Sequence, residues 1–195
     1  MIPKGWKVVT LEEVTERIDN RGKTPPLSKE KTEYPIIDVK ALSGEERIIN
    51  FNNCSKFVDK DTYNNWFRNG HPVQDDILIS TVGSIAEMKM FQGNIGCIAQ
   101  NVVALRSNRI LPFYLYQYIK HIKNELISYD IGSVQPSIKI THIIKYKIIK
   151  PILEIENRFS ELARRITNFA YNNTKENEAL SQIRNTLLPK LMSGE

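Results

Sequence analysis

Cysteine is scarce: Cys54 and Cys97 are the only two in 195 residues, far apart and in no Cys-x-x-Cys pair. That excludes a disulfide scaffold and gives no support to a thiol-based zinc or redox centre, so a reducing cytoplasm is the expected compartment. No run approaches the roughly 18 apolar residues of a membrane span, and Met1-Ile2-Pro3-Lys4-Gly5-Trp6 lacks the apolar stretch of a signal peptide. Membrane attachment and secretion are not expected. The three histidines, His71, His121 and His142, have no short metal-ligand spacing and read as structural or surface residues. Also missing are a Gly-x-Ser-x-Gly elbow, a Gly-x-x-x-x-Gly-Lys phosphate loop, a Gly-x-Gly-x-x-Gly fingerprint, and the Asn/Asp-Pro-Pro-Tyr element of amino-methyltransferases. One catalytic pattern survives these exclusions. Asp76 with Glu87-Met88-Lys89 fits the loose Asp plus Glu-x-Lys arrangement by which nucleases hold Mg²⁺ with two carboxylates and poise a water with lysine.

What is present is a soluble globular composition, 41% apolar and 25% charged, with a net charge of +5. The charge is uneven. Residues 1–100 carry 13 Lys/Arg against 14 Asp/Glu, whereas residues 101–195 carry 14 against 8. A basic second half suits a polyanionic partner, because lysine and arginine near phosphates release condensed counterions. The first 150 residues read as mixed α and β, with short apolar runs between Gly, Pro and Asn clusters. Strands are expected at Trp6–Val9, Tyr34–Val39, Arg47–Phe51, Asp76–Thr81, Met88–Phe91, Gly96–Ala99 and Val102–Arg106. Thr10 and Glu13 form a capping box for a short helix with Leu11, Val14 and Ile18 near helical spacing. A second helix starts at Pro112 and buries Leu115, Ile119, Ile122 and Leu126. After the loop Gly132–Ser137 comes a β-branched stretch, Ile138–Ile149. Lys145, Lys147 and Lys150 read either as the solvated side of a strand or as phosphate contacts.

The last segment is the most regular. Ile155, Phe159, Leu162, Ile166, Phe169, Asn173, Glu176, Leu180, Ile183 and Leu187 alternate spacings of four and three, the heptad seam of a coiled coil. Pro151 and Pro189 bracket the helix at 154–188, about 50 Å at 1.5 Å per residue. It is too long to bury its whole seam on one small domain; it needs a partner helix, or docks its N-terminal half on the domain. Antiparallel self-pairing matches Leu162 with Leu187, Ile166 with Ile183, Phe169 with Leu180 and Asn173 with Glu176, so every apolar residue meets an apolar one. A parallel pair would stack Glu176 on Glu176.

Several separated segments then fall in one order: Pro3-Lys4-Gly5-Trp6-Lys7, Leu11-Glu12-Glu13-Val14, Gly22-Lys23-Thr24-Pro25-Pro26, Asp76-Ile77-Leu78-Ile79-Ser80 with Val82-Gly83-Ser84, and Gly132-Ser133-Val134-Gln135-Pro136-Ser137-Ile138. Ile149-Lys150-Pro151-Ile152-Leu153-Glu154-Ile155-Glu156-Asn157 and Leu187-Leu188-Pro189-Lys190-Leu191-Met192-Ser193-Gly194-Glu195 complete the set. The chain resembles the DNA-specificity (S) subunit of type I restriction-modification systems. It departs from the family pattern at Asp75, where glycine is commoner, and at Glu156-Asn157, where Glu-Gln is commoner.

The resemblance implies an α/β (α+β mixed) fold: a target recognition domain over 1–153 with a twisted mixed sheet, a long coiled-coil helix over 154–190, and a tail over 191–195. A typical subunit carries two such units in tandem, so this sequence resembles a half-subunit whose self-pairing would rebuild the symmetry. It implies a non-catalytic role. The chain would hold no cofactor and would guide a methyltransferase (M) partner using S-adenosylmethionine and a restriction (R) partner using ATP and Mg²⁺ to double-stranded DNA. Expected DNA contacts are Arg21, Lys23, Thr24, Ser84, Gln135, Ser137 and Lys139. Arg21 would pair with guanine and Gln135 with adenine, while Lys23 and Lys139 would meet phosphates. Thr24 and Ser137 also suit the satisfaction of turn backbone groups. Expected dimer contacts are Leu162, Ile166, Phe169, Asn173, Glu176, Leu180, Ile183 and Leu187. The stretch 162–187 spans about 37 Å, close to the roughly 34 Å of one DNA turn. The alternatives are the Mg²⁺-dependent nuclease and a coiled-coil scaffold that does not bind DNA specifically.

Overall fold

The computed structural model describes residues 2–93, 95–132 and 134–193; Met1, Asn94, Ser133 of the Gly132–Ser137 loop, and Gly194 and Glu195 of the expected tail lie outside them. The fold is mixed α/β followed by one long helix, and its strands are distributed over three small sheets instead of one. β1 (Lys7–Thr10) pairs antiparallel with β9 (Lys147–Lys150), Val9 opposite Ile148. The central sheet runs in the order β2 (Thr15–Ile18), β8 (Val102–Ser107), β5 (Ile77–Ser80), β6 (Met88–Met90), all antiparallel. In the third sheet, β3 (Tyr34–Ile37) pairs antiparallel with β4 (Lys56–Val58) and parallel with β7 (Cys97–Ile98).

Alternation along β5 explains its unbroken apolar run. Ile77 and Ile79 enter one core with Val103, Leu105 and Phe113, whereas Leu78 enters another with Ile18, Phe91 and Ala104. Both faces of the strand are covered, so both parities are apolar. A third cluster, Ile36, Val58, Phe67 and Cys97, packs with Tyr34, Tyr63 and Trp66 beside α2 (Lys60–Asn65).

Several local expectations are corrected. Helix α1 (Leu11–Val14) has the expected capping box, with the Thr10 amide donating to Glu13 Oε2 at 2.5 Å, but it ends before Ile18. Ile18 lies in β2 opposite Ala104, because strand pairing with β8 wins over helical spacing there. Arg47–Phe51 is not a strand. Only Ile48 bridges to Met90, and the Asn50 side chain accepts from the Asn52 amide at 2.9 Å and turns the chain into a 3-10 turn at Phe51–Asn53. The helix from Pro112 is divided at Ile122 into α3 (Pro112–His121) and α4 (Lys123–Ile127), although Leu115, Ile119, Ile122 and Leu126 are all buried as expected. The β-branched stretch splits into α5 (Ile140–Ile144) and β9, because Ile140 and Ile143 reach the core at helical spacing.

The long helix α6 runs from Leu153 to Ser193, past the expected stop at Pro189. A proline removes its own amide donor, here the one that would reach Asn185, and its ring crowds that carbonyl, yet the helix continues beyond it to Ser193. The helix docks on α3 through a stripe of small and polar residues, Glu156, Ser160, Ala163 and Thr167, all buried. The Arg47 guanidinium secures this contact by donating to Thr167 Oγ1, the Ala163 carbonyl and Gln117 Oε1 while lying over the Tyr116 ring. Glu156 accepts from the Leu111 amide at the start of α3, and Phe159 meets Tyr114 edge-on.

Candidate nucleic-acid interface

Three loops distant in sequence meet at the end of β5, around the fully buried Thr81. Its amide donates to the Asn101 carbonyl at 2.8 Å, its carbonyl accepts from the Ile138 amide at 2.9 Å, and its hydroxyl accepts from Arg21 Nη1 at 3.2 Å. Val82 bridges to Ser137, and the Gly83 amide donates to the Pro136 carbonyl at 2.9 Å. The Arg21–Pro26, Val82–Ser84 and Val134–Ser137 segments are thereby held as one surface.

Gln135 and Ser84 are exposed here, with the Gln135 amide nitrogen against Gly83: a Cβ at Gly83 would stand 3.4 Å from it, on a backbone at φ +83°. Lys23 and Lys139 are exposed. The Thr24 hydroxyl accepts from Gln100 Nε2 at 2.6 Å, joining the first loop to the β7–β8 turn. Ser137 is half-buried, and its amide, like that of Gly132, donates to Asp130 Oδ1 at 2.8 Å. Those two backbone amides hold the Asp130 carboxyl below its ordinary range.

Arg21 departs from its expected availability. Its Nε and Nη2 each donate to Asp19 at 2.8 Å, so the guanidinium fork is already occupied by a carboxylate. Burial pushes the Asp19 carboxyl up, but the bonds from Arg21 outweigh it and leave it below the usual range. The arrangement makes Arg21 a strut between the first loop and Thr81.

Sequence reasoning missed Thr81, Gln100 and Asp130. Asp130-x-Gly132 carried a turn signal, since Asp side chains bond amides two residues on. Thr81 and Gln100 carried none; Gln100 is one of three non-glycine residues with positive φ among the described residues, at +60°.

The nuclease triad does not assemble. The buried Asp76 is bound by Arg106 at 3.1 and 2.9 Å, Glu87 pairs with Lys123 at 2.8 Å, and buried Lys89 donates to the Gly44 carbonyl at 3.0 Å and to Glu46. Each group is committed elsewhere. Among the described residues no cluster of three His, Cys, Asp or Glu is placed to hold a metal, and no helix is long and apolar enough to cross a membrane.

The heptad seam lies on a different face of α6 from the docking stripe. Ala163 follows Leu162, and Thr167 follows Ile166, by one residue, about 100° around the helix. Leu162, Ile166, Phe169, Leu180, Ile183 and Leu187 are 50–70% exposed, and Asn173 and Glu176 are exposed with them. The domain therefore occupies the N-terminal half of α6, covers Ile155 and Phe159 in part, and leaves the seam from Leu162 onward largely exposed.

A family model described as the type I restriction modification DNA specificity domain matches residues 3–184. The type I restriction enzyme MjaIX specificity subunit of Methanocaldococcus jannaschii is 25% identical over 199 residues, covering 100% of this chain and 45% of that protein. Among solved structures, a type I restriction-modification S subunit from M. genitalium superposes with a TM-score of 0.68 at 16% identity, over 100% of this chain and 48% of that one. The HsdS subunit from Thermoanaerobacter tengcongensis gives 0.61 at 20% identity, over 97% and 45%. The chain spans about half the length of these relatives.

Proposed function

The chain belongs to the family of type I restriction-modification DNA specificity domains, and from that membership we propose that it reads one half of a split double-stranded DNA sequence and performs no catalysis itself. A methyltransferase subunit carrying S-adenosylmethionine methylates adenine N6 at the site so marked, and a restriction subunit using ATP and Mg²⁺ joins through the same complex. The observation that carries this reading is the convergence of three polar loops on Thr81. Side chains with hydrogen-bonding reach are gathered on a backbone-bonded platform, as base readout requires. Gln135 and Ser84 contact base edges; Lys23 and Lys139 meet phosphates; Thr24, Ser137 and Arg21 hold the loops in register.

The exposed seam supports pairing with a second copy of this chain, antiparallel, with Asn173 against Glu176. Two identical readers related by a two-fold axis recognise an inverted repeat with an uncontacted spacer. Co-expression with the methyltransferase subunit, followed by sequencing of methylated adenines, tests partner, activity and symmetry together. The expected result is one split, palindromic motif. A non-palindromic split motif would exclude self-pairing. Salt-dependent DNA binding without sequence preference would replace the reading with that of a scaffold.

A further inference from the structure

Beside the Arg21 loop, a groove of about 480 Å³ separates Asp19–Lys23 from the turn that follows α2. This turn, Trp66–Gly70, was not singled out by sequence. It is clasped to the first loop by reciprocal bonds: the Asn69 amide donates to Asn20 Oδ1 at 3.0 Å, Asn20 Nδ2 to the Gly70 carbonyl at 2.9 Å, and Asn69 Nδ2 to the Asp19 carbonyl. Asn20 is buried, and Trp66 and Phe67 pack in the third core cluster. The turn is a rigid extension of the loop surface.

Most polar groups in the groove are already committed. Arg21 is bound to Asp19 and Thr81, Asn20 and Asn69 form the clasp, and Asn65 donates to Asp61 at 2.7 Å. Arg68 and Lys23 are the exposed cations there whose side chains make no hydrogen bond or ion pair among the described residues. A lysine ammonium is a point charge suited to phosphate. A free guanidinium fork matches the paired acceptors O6 and N7 of guanine in the major groove. Arg21 cannot offer its fork without giving up Asp19.

Building on the DNA-reading role above, we propose that Arg68 is a specificity-determining residue that reads a guanine in each half-site from the Trp66–Gly70 turn, with Arg21 acting as a strut behind it. The test uses the chain in complex with its methyltransferase subunit and reads the methylated-adenine motif. Arg68→Ala is expected to relax one G·C position in each half-site, lowering discrimination there roughly ten- to a hundredfold while the other positions stay fixed. Arg68→Gln is expected to shift that position towards A·T, since a glutamine amide matches adenine N6 and N7. Both variants should melt like the wild type, because the side chain bonds to nothing in the fold. An unchanged motif in Arg68→Ala overturns the assignment. So does uniformly weaker methylation with no position relaxed, the behaviour of a phosphate contact. Failure of the parent reading looks different: the wild-type complex itself would then methylate no defined motif, and the assignment would fall with it.

Discussion

Truncating two seam residues, singly and together, tests whether and how α6 pairs. Ile166 is 57% exposed and Ile183 is 54% exposed, so about half of each side chain remains to be covered by a partner. Complete burial of an isoleucine contributes roughly 1.5–3 kcal/mol, and the uncovered half therefore about 1 kcal/mol. Two-fold symmetry repeats each site. Ile166→Ala or Ile183→Ala alone should weaken dimerisation by about 2 kcal/mol, roughly 30-fold in Kd. In the antiparallel register the two residues face each other across the pair. The second truncation then removes contacts that the first has already left incomplete, and the double variant should fall short of the sum by about 0.5 kcal/mol or more. In a parallel register each residue meets its own copy. The two layers are then about 25 Å apart along the helix, and the effects should add. Sedimentation equilibrium across a concentration series measures all four proteins. Melting of the dilute Ile183→Ala monomer should be unchanged, because that side chain lies beyond the docked half of α6; Ile166 borders the cleft between α6 and Glu45–Asn50, so the melt of its truncation gives the baseline for the dimer comparison. Strict additivity would refute the antiparallel register, and a wild type that stays monomeric at every concentration would refute the pairing.

Three further outcomes follow from the domain itself. Arg47→Ala removes donors from Thr167, the Ala163 carbonyl and Gln117; it should cost roughly 1.5–3 kcal/mol in urea denaturation and increase hydrogen exchange over 156–167. Asp75 sits at φ +69°, in the left-handed region. Asp75→Val should therefore destabilise by about 1–3 kcal/mol, whereas Asp75→Gly should stay within about 1 kcal/mol of wild type. Asp19 has a depressed folded pKa, so its grip on Arg21 is complete above the ordinary carboxylate pKa of about 3.9 and is lost as pH falls through the folded value. Protection of the Arg21 amide, which donates to Asp19 Oδ1 at 3.1 Å, should be flat from neutral pH to about 5 and fall in acid below about 4, with the step absent in Asp19→Asn.

Asp75 also shows what sequence could and could not reveal. The departure from the family's glycine was visible, but its meaning was not: the position needs positive φ, which aspartate tolerates better than most residues. The seam was legible because apolar side chains at heptad spacing announce themselves. The docking stripe was not, because Glu156, Ser160, Ala163 and Thr167 are small or polar and leave no hydrophobic period. Their burial depends on Arg47 and Leu111, both distant in sequence. The loops were recognisable as loops from Gly, Pro and polar clusters. Their convergence rests on Thr81, whose partners Arg21, Asn101 and Ile138 come from three separate segments. β2 was hidden because Thr15-Glu16-Arg17-Ile18 buries only its two ends and Ile18 also fits helical spacing, and β4 because Lys56-Phe57-Val58 buries only Val58.

The two faces of α6 together constrain the geometry of recognition. The docking stripe from Glu156 to Thr167 places the globular domain on the N-terminal half of the helix, and in the proposed antiparallel pair the seam sets where the second copy's helix crosses it. With Asn173 opposite Glu176, the pair is centred about 13 residues beyond the middle of the docking stripe, or about 20 Å along the axis. Two readers then stand about 40 Å apart, near the roughly 34–36 Å between half-sites one helical turn apart on one face of DNA. A slip of one heptad would move the two readers by about 10 Å, some three base pairs. In that proposed pair Asn173 and Glu176 are the polar residues whose register matters most: they would stabilise the seam least, yet set the spacer that two readers tolerate.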